Sequence, residues 1–228
     1  MFSRSIALLG EESMALLQSK RVILFGIGGV GSWCAEALIR TGLTHLTIVD
    51  DDTVQVSNLN RQLPATQATI GFPKVQALKD RLLAINPEAE IEARQERVNG
   101  EWLAANGLEE YDYVIDAIDS VADKTDLILY ASRVRALKVF SSMGAALRFD
   151  PTQVRVAELF DVKGDALAKA VRARMKKIGQ HPNKKVRCVY SLEQAQRCEE
   201  RGSLMQVTAV FGLTLASLVI EDIKKGAR

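Results

Sequence analysis

A short apolar strand that runs into a glycine turn is the feature that most constrains the fold of this chain. Val22-Ile23-Leu24-Phe25 leads directly into Gly26-Ile27-Gly28-Gly29-Val30-Gly31, and a helical segment then extends to Arg40. Gly26, Gly28 and Gly31 satisfy the GxGxxG spacing, which lets a strand turn tightly into a helix. The first turn of such a helix presents free N–H groups to an anion. The glycine turn, residues 26–31, therefore predicts a Rossmann-like α/β fold with a phosphate site.

Strands and helices alternate along the first two thirds of the chain, which predicts a doubly wound, mostly parallel sheet through about residue 144. The pattern changes after Asp150-Pro151, where Val154-Arg155-Val156 alternates like an edge or antiparallel strand. We interpret residues 1–228 as a single domain. Its nucleotide-binding core covers 1–150, and a substrate-side elaboration with a closing helix covers 151–228. Helices are predicted over residues 5–17, 31–40, 74–85, 127–135, 165–178 and 204–224.

Charged residues after the strands indicate which nucleotide the glycine turn holds. Asp50 ends the second strand 19 residues beyond the turn, where a carboxylate binds ribose hydroxyls in such folds. The turn by itself suits a dinucleotide as well as ATP. Arg61 and Lys74 add the positive charge that a triphosphate needs, and Asp119 is placed to bind Mg²⁺. These residues favour ATP. The alternative role of Asp119 or Ser120 is to cap the following helix.

Several motifs resemble, in order and spacing, those of the ubiquitin-activating-enzyme-like adenylyltransferases, which include the thiamine and molybdopterin sulfur-carrier enzymes. These motifs are the glycine turn, Asp50-x-Asp52, Ser57-Asn58-x-x-Arg61-Gln62, Lys74, Asn86-Pro87 and Asp116-x-x-Asp119. The resemblance implies a homodimer in which Arg4 enters the partner's ATP site. It also implies catalytic roles for Arg61, Lys74, Asp119 and Arg4, with Mg²⁺ on Asp119. The ATP-binding residues that it implies are Gly26, Gly28, Gly29, Gly31, Asp50, Asp52, Asn58, Arg61, Lys74, Asp119 and Ser120.

A departure from the sulfur-carrier enzymes indicates which carboxylate is activated. Those enzymes usually carry two CxxC pairs for structural zinc, and this chain has none, so we expect no zinc site. Ser120 in place of Asn, Asp150-Pro151-Thr152-Gln153 and Cys188-Val189-Tyr190-Ser191-x-Glu193 are instead similar to the tRNA threonylcarbamoyladenosine dehydratase branch. The resemblance implies an enzyme that adenylates the threonyl carboxylate of this modified adenosine in the anticodon loop. The side chain then closes to a cyclic form with net loss of water.

Two other functions stay open at this point. A sulfur-carrier adenylyltransferase should have a groove for the C-terminal Gly-Gly tail of a small ubiquitin-like protein. A NAD-dependent oxidoreductase would share the glycine turn. Arg61 and Lys74 argue against the oxidoreductase, and so does the lack of an evident acid–base residue for hydride transfer. The sequence does not decide whether a monovalent cation also binds.

Cysteine usage and hydropathy narrow the class of protein further. Cys34, Cys188 and Cys198 are too few for a disulfide framework, so we expect reduced thiols in a cytoplasmic protein. Cys188 or Cys198 is a conceivable thioester nucleophile, but ring closure within one side chain demands no catalytic Cys or His. The longest apolar stretch, residues 207–220, is shorter than the ~20 residues that span a bilayer. We expect a buried helix there, with no transmembrane segment and no peripheral membrane contact.

Basic residues are concentrated in one segment of the last third. Residues 163–187 contain nine Lys or Arg and one acid, Asp165, so the segment carries about +8 while the whole chain carries +2. Such a concentration suits a phosphate backbone, which contributes affinity without base recognition. A charge run can equally be a solvated surface, and aromatic residues for base stacking are not interleaved here. We predict that tRNA contacts Lys169, Arg172, Lys176, Lys184, Lys185 and Arg187.

Overall fold

One seven-stranded sheet organises the chain, for which the computed structural model describes residues 1–196, 198–199 and 202–227. The strand order is β3-β2-β1-β4-β5-β7-β6, and every neighbouring pair is parallel except β6 with β7. The predicted doubly wound, mostly parallel α/β fold is thereby confirmed. The strands are β1 (Arg21–Phe25), β2 (His45–Val49), β3 (Glu90–Arg94), β4 (Tyr113–Asp116), β5 (Lys138–Ser142), β6 (Val154–Glu158) and β7 (Arg187–Ser191).

Helices cover both faces of the sheet. One face buries apolar residues of α2, α3, α4 and α8, and the other buries residues of α5, α6 and α7. Successive strand residues alternate between the two cores, as the pleat requires. The helices are α1 (Ser3–Leu9), α2 (Glu11–Gln18), α3 (Gly31–Thr41), α4 (Lys74–Ile85), α5 (Gly100–Asn106), α6 (Val121–Arg133), α7 (Ala166–Lys177) and α8 (Met205–Gly226), with 3-10 turns at Val56–Asn58 and Pro151–Gln153.

The local predictions differ from the structure in three helices. The single helix predicted over residues 5–17 is wrong, because Gly10 adopts φ +85° and separates α1 from α2. Helix α6 begins at Val121 rather than 127, because the Ser120 side chain accepts a hydrogen bond from Asp123 N and so caps it. Helix α5 was not predicted. The last third does supply β6 and β7 to the same sheet, and β6 is antiparallel as expected.

Helix α8 is longer and more apolar than the sequence interpretation allowed. It spans 22 residues, and by length and composition alone it could cross a membrane. Its apolar residues Val207, Phe211, Leu215 and Val219 are nevertheless fully buried in the core beside α3. The helix therefore contributes most of its apolar surface to the interior of the protein, as predicted for a buried helix.

Helix α8 packs directly against the start of α3 because it carries a glycine there. A Cβ atom on Gly212 would overlap the Val30 carbonyl oxygen and would lie 2.9 Å from Cys34 N and from Trp33 Cβ. These neighbours are mostly backbone atoms, so they cannot rotate away. The contact holds α8 against the end of the glycine turn and the first turn of α3.

We predict that Gly212→Ala lowers the free energy of unfolding by about 1–3 kcal/mol, because the added methyl group forces two packed helices apart. Chemical denaturation followed by circular dichroism measures the change. Gly226→Ala in the same helix is the matched control, since its Cβ would meet nothing closer than Leu16 Cδ2 at 3.6 Å. Equal stabilities for the two variants would contradict the account of this contact.

Candidate functional site

A cavity of about 530 Å³ lies at the carboxyl ends of β1, β2, β4 and β5. This edge is where open α/β sheets bind ligands. One wall is formed by the glycine turn and the loops that follow β2 and precede α4. A second part of the lining is formed by residues 142–146 and Leu167. We call these the nucleotide wall and the acceptor wall. All the predicted ATP-binding residues except Gly31 border the cavity: Gly26, Gly28, Gly29, Asp50, Asp52, Asn58, Arg61, Lys74, Asp119 and Ser120.

The glycine turn is shaped by backbone contacts. Gly26 has φ +81°, and a Cβ on it would lie 2.8 Å from the Ala117 carbonyl oxygen of the neighbouring strand end. A Cβ on Gly31 would overlap the Gly26 carbonyl oxygen. Gly31 therefore lies behind the turn and lets α3 start close to β1, and the nucleotide contact expected of it stays a prediction. Gly29 borders the cavity beside the Arg61 side chain.

Asp50 and Lys74 form a linked pair on the nucleotide wall. The Asp50 carboxylate accepts hydrogen bonds from Ile27 N at 2.8 Å and Asp52 N at 3.0 Å. Burial raises the pKa of Asp50, and the nearby Lys74 ammonium opposes that rise. The buried Lys74 Nζ lies 2.6 Å from Asp52 Oδ2 and 3.9 Å from Asp50 Oδ1. Asp50, Asp51 and Asp52 each have a carboxylate oxygen within 4.8 Å of those of the other two. Lys74 supplies positive charge to Asp50 and Asp52.

Arg61 is held by the loop that carries it. Its Nη1 donates to Ser57 O at 2.9 Å and to Asn60 Oδ1 at 2.8 Å, and its carbonyl oxygen accepts from Trp33 Nε1 at 3.1 Å. Asn58 is buried, and its Oδ1 accepts from Gln55 N at 3.0 Å. Asn58 thus stabilises the 3-10 turn before Arg61, a structural role beside the binding role predicted for it.

Asp119 and Ser120 divide the two roles that the sequence left open. Ser120 caps α6, as described above, and Asp119 lies one residue earlier with an exposed side chain on the cavity wall. Mg²⁺ is commonly held by one or two carboxylates together with phosphate oxygens and water. An exposed carboxylate that faces the same cavity as Arg61 and Lys74 fits that donor set. Asp119 is therefore the residue that would hold the metal.

A buried ion pair supports residues that line the cavity, and the sequence analysis missed it. Lys124 Nζ is fully buried and lies 2.6 Å from Asp116 Oδ2, 3.2 Å from Ser141 Oγ and 2.9 Å from Ser142 O. The other carboxylate oxygen of Asp116 accepts from Ile118 N at 3.1 Å. The ammonium group thus connects the ends of β4 and β5 to α6. Its sequence signal was one lysine in the first turn of a helix that also carries two aspartates.

Most of the acceptor wall comes from the last residue of β5 and the segment after it: Ser142, Met143, Gly144, Ala145 and Ala146. Sequence reasoning did not select them, although the rule that places ligands beyond strand ends applied to β5 too. Arg97 also borders the cavity, and its Nη2 lies 3.0 Å from Asp123 Oδ2 of α6. The cavity thus has room and polar groups for a second reactant beside the nucleotide wall.

The basic residues of the last third separate into two groups. Lys169 and Lys176 are exposed on α7, which begins at the acceptor wall with Leu167. Arg172 instead donates to Leu159 O and Val162 O at 2.8 and 3.0 Å, and Lys184 donates to Val134 O and Leu137 O. Both side chains are half-buried and donate to main-chain carbonyl groups, and the tRNA contacts expected of them stay predictions.

The remaining predicted basic contacts are paired on the surface. Lys185 Nζ lies 2.6 Å from Glu158 Oε1, and Arg187 Nη2 lies 3.4 Å from Glu221 Oε2. Lys185 is exposed and Arg187 is half-buried. Surface pairs of this kind contribute little energy and exchange partners readily. Both side chains remain able to meet phosphate, but α7 presents the basic residues nearest to the cavity.

Arg4 lies far from the cavity of its own chain. It is exposed on α1, and Phe2 just before it packs near Gly42, at the end of α3 opposite the glycine turn. Helix α3 has 11 residues, which is about 16 Å of rise. Arg4 therefore lies toward the end of α3 that is opposite the glycine turn of its own chain.

Two of the three cysteines are in the core. Cys34 and Cys188 are buried, and Cys198 is exposed. Burial raises the pKa of the Cys188 thiol to about 12 and raises that of Cys34 further. A thiol with so high a pKa is not a nucleophile at neutral pH. The structure thus removes Cys188 as a thioester candidate.

These features define a nucleotide-binding α/β domain with a cavity that combines a phosphate-binding wall with an acceptor wall. The chain belongs to the ThiF family, whose model matches residues 2–226. It is 35% identical over 234 residues to tRNA threonylcarbamoyladenosine dehydratase of Haemophilus influenzae, covering 94% of this chain and 89% of that protein. A match to molybdopterin-synthase adenylyltransferase of Escherichia coli, at 36% identity, covers 65% of this chain and 59% of that protein.

Solved structures give the same result at the level of the fold. The E. coli tRNA N6-threonylcarbamoyladenosine dehydratase in complex with ATP matches with a TM-score of 0.93 and 35% identity, covering 99% of this chain and 94% of that one. The same E. coli enzyme in complex with AMP matches with a TM-score of 0.93 and 36% identity, covering all of this chain and 96% of that one. The resemblance deduced from the motifs is thereby confirmed.

Proposed function

We propose that this protein uses ATP to adenylate the threonyl carboxylate of threonylcarbamoyladenosine in tRNA and closes that side chain to a ring. The observation that carries the proposal is the cavity itself, which the nucleotide wall and the acceptor wall both border, with the exposed basic residues of α7 nearby. The similarity of the whole chain to dehydratases of this substrate supports it, whereas the likeness to the molybdopterin enzyme covers only part of either protein.

The nucleotide wall suits ATP rather than a dinucleotide. Asp50 lies where a carboxylate meets ribose hydroxyls, and Gly28 and Gly29 bring backbone close to the phosphates. Arg61 and the Lys74 ammonium supply charge for a triphosphate, which competes with Asp52 for Lys74. When bound, Mg²⁺ on Asp119 neutralises phosphate charge. A monovalent cation site is not part of the proposal.

The two chemical steps need little acid–base help from the protein. In the first, a carboxylate oxygen attacks the α-phosphorus of ATP, the bond to the β-phosphate breaks, and pyrophosphate leaves. In the second, the carbamoyl group of the same side chain attacks the acyl carbon, AMP leaves with the carboxylate oxygen, and one proton goes to solvent. Because the attacking group is already tethered, proximity supplies much of the acceleration. Arg61 and Lys74 stabilise the charge that develops on the phosphates.

The experiment that tests this function measures AMP released by purified protein with ATP, Mg²⁺ and tRNA that carries the modified adenosine. We predict AMP release with tRNA alone, and a loss of at least about 100-fold for Lys74→Ala, which removes positive charge beside the phosphates, and for Asp119→Ala, which removes the carboxylate that would hold Mg²⁺. Lys79→Ala on the same helix is the control, since Lys79 borders a separate cleft beside His45 and Glu90. AMP formed only after addition of a ubiquitin-like carrier protein would overturn the tRNA reading.

RNA docking is assigned to the exposed face of α7. Lys169 and Lys176 are seven residues apart on one face, which places them about 10 Å apart along the axis, and the helix starts at the acceptor wall. An anticodon loop that enters the cavity can thus lay its backbone along α7. Action on tRNA also implies a cytoplasmic protein.

For the double charge reversal Lys169→Glu and Lys176→Glu we predict at least about tenfold weaker tRNA binding and a salt dependence reduced by about two phosphate contacts. Affinity for ATP should stay unchanged. Lys224→Glu with Lys225→Glu makes the same charge change in the last turn of α8 and should bind tRNA normally. Equal weakening in both double variants would show that only net charge matters.

We also propose a homodimer in which Arg4 completes the partner's ATP site, because Arg4 lies away from its own cavity. Each of the variants Arg4→Ala and Asp119→Ala should be inactive alone. In a mixed dimer of the two variants, one of the two sites contains both Arg4 and Asp119. We therefore predict that co-expression of the two variants restores measurable AMP release. Confirmed mixed dimers without recovered activity would contradict the transfer of Arg4 between subunits.

A further inference from the structure

The two sequence motifs of the last third that the proposed chemistry does not use lie together behind the acceptor wall. The Glu193 carboxylate accepts hydrogen bonds from Phe149 N at 3.0 Å and from Asp150 N at 2.9 Å. Leu192 N donates to Gln153 O at 3.0 Å. The end of β7 is thereby joined to the turn that precedes β6. The residue before Phe149 is Arg148, which lies between this junction and the cavity.

Arg148 is a buried cation that contacts three segments at once. It is 4% exposed. Its Nε donates to Glu193 O at 3.1 Å, its Nη1 donates to Gly144 O, and its Nη2 lies 3.1 Å from Asp165 Oδ2. The planar guanidinium therefore uses its fixed fork to connect the β7 junction, the acceptor wall and the start of α7.

Asp165 completes the same arrangement from the other side. Its Oδ2 accepts from Gly144 N at 3.1 Å, and its Oδ1 accepts from Ala168 N at 2.9 Å, which caps α7. Both backbone polar groups of Gly144 are thus bound by one buried ion pair. Because a Cβ on Gly144 would lie 3.3 Å from Asp165 Oδ2, the wall and the carboxylate are already in close contact.

The next part of the wall is held in an uncommon backbone conformation. Leu147 has φ +62°, the sole non-glycine residue with positive φ in the described part of the chain. Its N–H donates to Gly202 O at 3.0 Å, and its carbonyl oxygen accepts from Gln196 N at 2.8 Å. A leucine stays in this region only where its surroundings impose it. The shape of residues 144–147 is therefore set by tertiary contacts at both ends, from Arg148 and Asp165 to Gly144 and from Gly202 and Gln196 to Leu147.

We propose that Arg148, acting through Gly144 and Asp165, is a positioning residue that aligns the acceptor wall with the RNA-binding helix α7. The wall would meet the threonylcarbamoyl side chain while α7 meets the RNA backbone, so the pair sets the distance between the two contacts. The inference rests on the proposed function. The side-chain hydrogen bonds of Arg148 in the described residues go to Glu193, Gly144 and Asp165, none of which belongs to the nucleotide wall. The inference therefore assigns Arg148 to the tRNA half of the reaction and gives it no part in ATP binding.

The test compares steady-state kinetics with tRNA and equilibrium binding of a non-hydrolysable ATP analogue. In the double variant Arg148→Met with Asp165→Asn both charges are removed, while the one amide oxygen of Asn still accepts from Ala168 N and caps α7 and the bond from Gly144 N is lost. We expect kcat/KM for tRNA to fall about 100-fold, as a small misplacement of a reacting group does. The affinity for the ATP analogue should stay within about twofold, because the nucleotide wall is untouched.

Two further variants keep the inference testable. Arg81→Met breaks the buried Glu36 ion pair between α3 and α4, so it controls for a general loss of stability and should leave the tRNA kinetics unchanged. Glu193→Ala removes the carboxylate that anchors Phe149 and Asp150 and should lower kcat/KM for tRNA about tenfold, and it serves if the double variant does not fold. The positioning role is overturned if Glu193→Ala and any folded double variant keep a normal kcat/KM for tRNA. It is also overturned if the affinity for the ATP analogue falls together with kcat/KM.

If the wild-type protein is inactive on tRNA, the proposed function is contradicted, but the positioning role of Arg148 is not. Amide hydrogen exchange of residues 143–147 then tests the wall without any substrate. We expect at least about tenfold faster exchange there in Glu193→Ala than in Arg81→Met, since the wall loses its anchor. Equal protection in the two variants would overturn the inference, whatever the substrate of the enzyme.

Discussion

At the glycine turn, three glycines let backbone segments approach more closely than any side chain would allow. Gly26 lies against the Ala117 carbonyl group of β4's following loop, Gly31 against Gly26, and Gly212 of α8 against Val30. These contacts bring β1, α3, α8 and the loop before Asp119 to one place. The nucleotide wall therefore exists only because these residues lack a Cβ, and the charges of Asp50, Lys74 and Asp119 take their positions relative to it.

Buried charge performs a second, complementary task. The ion pair of Lys124 with Asp116 joins the ends of β4 and β5. The ion pair of Arg148 with Asp165 holds the acceptor wall in place. A buried pair contributes little net stability, because desolvation offsets the attraction, but an unpaired member is costly. Such pairs therefore specify one arrangement of loops rather than merely holding them. The site combines a glycine-dependent wall with walls defined by buried ion pairs.

The sequence predicted the parts that follow from local rules. The glycine turn and the end of β2 at Asp50 each depend on neighbours a few residues away, and each was identified, whereas the cap of α6 was left open between Asp119 and Ser120. The carbonyl partners of Arg172 and Lys184 lie in other segments of the chain, so no spacing reveals them. Arg148 and Lys124 were missed for the same reason. A charge in a sequence does not show whether it faces solvent, a ligand or a buried carboxylate until the fold brings its partner.

The central claim is that one cavity transfers AMP to a carboxylate carried by tRNA. Transfer of oxygen-18 from a labelled threonyl carboxylate tests it most directly. If the carboxylate attacks the α-phosphorus and ring closure then expels AMP, mass spectrometry should find one labelled oxygen in each AMP and none in pyrophosphate. Label that appears in inorganic phosphate or pyrophosphate, or AMP that forms without label, would contradict the account.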